Sequence, residues 1–180
     1  FNLAVTALGN SGATPAKGLE GEVVVFKTFG AFKAAPATAI KGKIVYVGHA
    51  MQRTQDGSSY GVFGTVRRQG PNLAAKLGAA AFVIRSIGTD SHRNPHTGNT
   101  NFEAGVTPIP SAAISNPDAD QIERTNDAIS RLGLIWRKEA NLSPAALHWL
   151  SLAKELGVPP ASPAAASAAV MASLAASSIS

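Results

Sequence analysis

An α+β domain built on a mixed sheet is the fold class this sequence predicts, and three observations predict it. Two strand-like runs, Glu22–Phe26 and Lys43–Val47, flank a short helical segment, the pattern of a crossover between parallel strands. A third run, Ala79 to Ile84, follows another helical segment and is apolar at every position, as a strand covered on both faces must be. Between these elements lie stretches rich in Gly, Pro, Asn and Asp. At 180 residues with 45% hydrophobic content, the chain can bury one real core.

Taken in order, Leu3 to Leu8 has strand character, and Gly9 to Gly18 is a loop punctuated by Gly9, Gly12, Pro15 and Gly18. Glu22–Phe26 is bounded by Gly21. Thr28 can cap a short helix carrying Phe29, Phe32 and Lys33, which Pro36 ends. Gly42 leads into Lys43–Val47. His49 to Gly64 is then a long polar loop, and loops of that length inside a compact domain are functional or disordered.

The stretch from Val66 to Gly98 supplies a helix, a buried strand and a second polar loop. Gly70-Pro71 is expected to start the helix, because proline loses nothing at the first helical position. Leu73, Ala74 and Leu77 share one face, and Gly78 closes it. Gly88 to Gly98 is too polar for a packed element. A short strand is expected at Ser111 to Ile114. Asn116-Pro117-Asp118 then reads as a cap, a first-turn proline and an acid near the positive helix end. Ile122, Ile129 and Leu132 line that helix, with Gly133 as its stop. A further helix is capped by Ser143, opened by Pro144 and closed by Gly157. The uncharged, Ala- and Ser-rich remainder is low in complexity. The expected organisation is a first domain over 1–133, an extra helical segment over 134–157 and a tail over 158–180.

Ala74 to Gly98 (AAKLGAAAFVIRSIGTDSHRNPHTG), preceded by RTQDGSSYG and followed by GVTPIPSAAISNPDADQIER, resembles the protease-associated domain of M28 metallopeptidases, in its carboxypeptidase Q-like branch. The resemblance covers Leu3 to Arg124. It implies a β-sandwich or partly open barrel with flanking helices. It also implies an accessory insert in a zinc exopeptidase, with the zinc held by His, Asp and Glu residues of the peptidase domain and none in this chain. The implied role is to shape substrate access or dock partners, the partner being the parent peptidase domain or a peptide. The implied location is periplasmic or secreted. A stand-alone peptide- or protein-binding module is the alternative.

Composition narrows the classes further. The formal charge is +5, but the cations are scattered, adjacent only at Arg67-Arg68 and Arg137-Lys138, which favours a solvated surface over a nucleic-acid partner. There is no cysteine, hence no disulfide or thiolate chemistry. No stretch reaches the length of an apolar membrane span. The chain starts at Phe1 without methionine, giving the expectation of a fragment or processed product with any signal peptide out of view.

Asp90, His92 and His96 are ligand types that zinc prefers, but Pro95 opposes the helix on which a His-x3-His pair would clamp a metal. A loop hydrogen-bonded through its own side chains is the preferred reading. Ser58 and Ser59 lack the G-x-S-x-G elbow of a presented nucleophile, and no G-K-[ST] follows Gly57 to Gly61. Catalysis is not expected of this chain alone. What remains is the two polar loops, each adjoining a strand. Arg53, Gln55, Asp56, Arg93 and His96 are the expected surface for a peptide or partner. Arg85, at the end of the buried run, must find a carboxylate or solvent, and is expected to brace the second loop through Asp90 or Asp56.

Overall fold

The structure, a computed structural model, describes residues 3–124 and the backbone of 131–134. Its strands are β1 (Val5–Ala7), β2 (Leu19–Phe26), β3 (Ile44–Val47), β4 (Ala81–Arg85), β5 (Ser111–Ile114) and β6 (Arg131–Leu134). Helices α1 (Phe29–Ala34) and α2 (Ala37–Ile40) join β2 to β3. Helices α3 (Ser59–Phe63) and α4 (Thr65–Lys76) join β3 to β4, and α5 (Asn116–Arg124) follows β5.

The sheet order is β1-β5-β4-β3-β2-β6, parallel through β2 to β5 and antiparallel at both edges. The α+β class and the mixed sheet follow the sequence expectation; the sheet is single and open. Alternation along the central strands splits the core into two faces. Val45, Val47, Phe82 and Ile84 meet Phe29 and Phe32 of α1 and Val66 and Ala74 of α4. Ile44, Tyr46, Ala81 and Val83 point the other way, toward Ala119 and Ile122 of α5.

Three elements differ from expectation. Helix α4 starts at Thr65, so Pro71 lies inside it rather than at its first position. Proline there forgoes one backbone hydrogen bond. Gly70 explains the pair, because a Cβ at that position would run into the Phe82 ring. The dipeptide is a close-packing device that lets the helix press onto β4. The first polar loop is shorter than expected, since Ser59 to Phe63 winds into α3. The helix after β5 is described over Asn116–Arg124, and Leu132 and Gly133 belong to β6, opposite Gly21 and Glu20. Pairing there satisfies the outer edge of β2, whose N–H and C=O groups would otherwise lack a ladder partner. Its cap is Ser115 rather than Asn116: Ser115 Oγ accepts from Asp118 N at 3.4 Å, and its carbonyl accepts from Ala119 N at 2.9 Å. The expected positions of Ile129, the 134–157 helical segment and the 158–180 tail lie outside the described residues.

Candidate functional site

Because β2, β3 and β4 run parallel, their carboxyl ends share one edge, and both polar loops leave from it. Residues 48–58 follow β3 and residues 86–98 follow β4. The first loop is held by local bonds. Asp56 Oδ1 accepts from Ser58 N at 3.0 Å, and Ser59 Oγ donates to the Gln52 carbonyl at 2.6 Å. That backbone donor at Ser58 holds the exposed Asp56 carboxyl below the usual carboxylate range. Arg53, Gln55 and Asp56 form an exposed tip.

The second loop is anchored across the fold. Arg93 makes a forked contact with Asp118 of α5, at 3.0 to 3.2 Å. The Asp118 side chain is only 6% exposed and also accepts from Ala4 N at 2.7 Å and Ser115 Oγ at 2.8 Å. Burial pushes that carboxyl upward, but these donors outweigh it and leave it below the usual range. Asn116 Nδ2 donates to the carbonyls of Gly88 at 3.3 Å and Asp90 at 3.2 Å. His96 N donates to Ser86 Oγ at 2.6 Å.

One contact joins the two loop systems. The Tyr60 hydroxyl of α3 lies 2.8 Å from His96 Nε2, with the rings edge-on at 5.7 Å. The same hydroxyl accepts from Arg67 Nη1 at 3.0 Å, and Arg67 also donates to the Thr97 carbonyl at 3.3 Å. Arg67 is buried, and Gly98 makes room for it: a Cβ there would stand 2.7 Å from the guanidinium carbon.

The structure therefore places Arg53, Gln55 and Asp56 on one loop, and Arg93 and His96 on the other, along one edge. Arg93 and His96 are engaged in holding their loop. Arg85 is paired, but with different partners from those expected: Asp120 and, at 3.3 Å, Glu123, both on α5. Strand alternation is the reason, since it puts Arg85 on the face of Val83, which α5 covers. Burial opposes its charge, and the two carboxylates more than compensate. Glu123 also accepts from the Tyr46 hydroxyl at 3.0 Å; burial, then the charge of Glu123, pushes that phenol far above its usual range. Asp90 instead faces Asn116, at the side of a cleft of about 470 Å³ shared with Thr89, Asp120 and Arg124.

Tyr60, Arg67, Asp118, Asp120 and Glu123 escaped the sequence reading. Only Asp118 carried a signal, as the acid in the first turn after Asn-Pro. The others depend on pairings between distant elements.

A family model for the PA domain matches residues 13–122, more than half of the chain. The chain belongs to the PA domain family. Its form is the one found in M28 peptidases. Carboxypeptidase Q of Bos taurus is 32% identical over 155 residues, which is 86% of this chain and 31% of that protein. Carboxypeptidase Q of Homo sapiens is 36% identical over 122 residues, 68% of this chain and 24% of that protein. A peptidase M28 precursor from Shewanella amazonensis superimposes with a TM-score of 0.70 at 44% identity, covering 74% of this chain and 30% of that one. A zinc aminopeptidase from Bacillus subtilis shares the fold, with a TM-score of 0.51 at 20% identity over 75% of this chain and 28% of that one. The chain thus spans 31% and 24% of the length of these two curated relatives.

Asp90, His92 and His96 are not brought together as one ligand set. His92 Nδ1 stands 3.3 Å from Asp90 Oδ1, but the His96 ring is turned to Tyr60. Among the described residues no group of three or more His, Cys, Asp or Glu side chains is placed to hold a metal.

Proposed function

We propose that this PA domain is a non-catalytic accessory part of an M28-like zinc exopeptidase, shaping substrate access or docking partners through the edge where its two polar loops emerge. The supporting observation is the contrast at that edge: Arg53, Gln55 and Asp56 project on a locally tied loop, beside a second loop fixed to the sheet and to α5. A rigid ledge next to an adaptable tip suits a surface that meets a peptide or the peptidase domain. Zinc and the bond-breaking residues belong, on this reading, to the parent peptidase domain. A periplasmic or secreted location is part of the same reading, in keeping with the precursor nature of the Shewanella relative.

The test uses a full-length parent carrying both domains. Arg53→Ala/Gln55→Ala should raise KM for peptide substrates about three- to tenfold while leaving kcat and zinc content unchanged. Unchanged KM and kcat would remove the edge from substrate access. The chain alone, with or without zinc, should not cleave peptides; zinc-dependent cleavage lost in His92→Ala/His96→Ala would overturn the accessory reading altogether.

A further inference from the structure

The groove between α1 and α4 lies on the helix-covered face, not at the edge where the loops emerge. It is a cleft of about 590 Å³ with Phe29, Leu73 and Phe102 at its floor and Lys33, Arg68 and Lys76 on its rim. Its outer wall is a strap formed by Asn101 to Glu103 and fixed to α4. Asn72 Nδ2 donates to Glu103 Oε1 at 2.8 Å, Glu103 N donates to Asn72 Oδ1 at 3.0 Å, and Lys76 Nζ pairs with Glu103 Oε2 at 2.6 Å. Glu103 is the one carboxylate lining the groove, and these two partners occupy both its oxygens.

Lys33 and Arg68 are left facing neutral groups. The Lys33 ammonium sits 5.1 Å from the Phe29 ring centre. Arg68 Nη2 donates to the Gly61 carbonyl at 3.0 Å and to Thr65 Oγ1 at 3.3 Å. Among the described residues neither cation pairs with a carboxylate. The first turn of α4 contains Arg67 and Arg68 and no acidic residue.

We propose that the α1–α4 groove docks an acidic segment of a partner protein. Its carboxylates pair with Lys33 and Arg68, and an apolar side chain between them rests on Phe29 and Phe102. Spaced carboxylates can straddle Glu103 on the rim. A nucleic-acid backbone, charged at every step, would have to lie against it. The cleft suits a few residues of extended chain rather than a broad domain face. This surface is separate from the loop edge and stands whether or not that edge governs substrate access.

The probe is a fluorescent hexapeptide of alternating glutamate and leucine, titrated with the full chain and followed by anisotropy. Saturable binding is expected, weakening several-fold as salt rises from about 50 to 300 mM. Lys33→Glu/Arg68→Glu should weaken it at least about tenfold with an unchanged thermal transition, since both side chains are exposed. Glu103→Gln, which frees Lys76, should instead tighten it. Absence of saturation up to about 1 mM peptide, equal binding of a lysine–leucine peptide, or full affinity in the double variant would overturn the proposal. So would tighter binding of single-stranded oligonucleotide than of the acidic peptide.

Discussion

The two loops at the carboxyl edge of the sheet are both polar, both follow a buried strand, and both carry Gly, Ser and Asp. Yet the polar side chains of one reach distant elements, and those of the other do not. Residues 86–98 reach α5 through Arg93 and Asp90, α3 through His96, and α4 through the Thr97 carbonyl. Residues 48–58 are tied close by in the chain, through Asp56 to Ser58 and through Gln52 to Ser59 at the start of α3. Polarity does not separate an anchored loop from an adaptable one; the location of the partners does. A buried acceptor such as Asp118 organises its surroundings because leaving it unmatched would be expensive.

Five experiments sharpen or break that comparison. The largest effect belongs to the anchor. Asp118→Ala should destabilise by about 2–4 kcal/mol in urea unfolding, since charged hydrogen bonds to Ala4, Ser115 and Arg93 are lost together. Amide exchange should rise across residues 88–98 and stay unchanged across 50–58; an equal rise in both loops would dissolve the distinction. The same carboxyl predicts a pH dependence. Its folded-state ionisation lies below the ordinary carboxylate range, so the stabilisation is complete above that range. It is lost as pH falls through the folded value. The gap between wild type and Asp118→Asn should therefore close as pH falls below the ordinary carboxylate range.

Next is Arg85, at the foot of the second loop. Arg85→Ala should cost about 1–3 kcal/mol by leaving Asp120 and Glu123 without their cation. Arg85→Lys should recover only part, because one ammonium cannot serve both carboxylates as a guanidinium does. Full recovery would show that charge alone matters there. Tyr60→Phe should cost about 1 kcal/mol and loosen residues 94–98 specifically, as the hydroxyl shared by His96 and Arg67 disappears. The smallest effect is expected at the tip: Arg53→Ala should leave the melting temperature of the chain where it was. A clear fall would mean that the tip is as built-in as its neighbour.

Much of this fold was legible in the sequence, for identifiable reasons. The β-branched runs at Val23 to Phe26 and Ile44 to Val47 announced strands joined by a crossover, and the apolar run ending at Ile84 announced a buried one, because continuous hydrophobicity is what burial on both faces demands. The Thr28 cap was legible because its bond is local: Thr28 Oγ1 accepts from Ala31 N at 3.1 Å. Pro71 misled because its sequence signal, a helix start, was overridden by the tertiary contact between Gly70 and Phe82. For Arg85 the sequence offers Asp90 or Asp56 as acceptor, on the two polar loops, whereas the acceptors come from a helix thirty-odd residues on. The same limit applied at the loop edge. The loops themselves were visible as polar stretches, but Tyr60 and Arg67 looked like ordinary helix residues until α3 and α4 were folded against residues 96–98.

The order of the strands bears on how the domain comes to be. From β2 to β5, every strand lies beside its predecessor in the chain, so each pairing closes a short stretch of polypeptide. The two edges are different. Val5 must wait for Ile114, and Glu22 must wait for Arg131. Loop-closure entropy makes such distant pairings slow to form and late to be rewarded. During synthesis the four-stranded parallel centre can therefore assemble before either rim is sealed. The last pairings to form would be those of the two rim strands, β1 and β6.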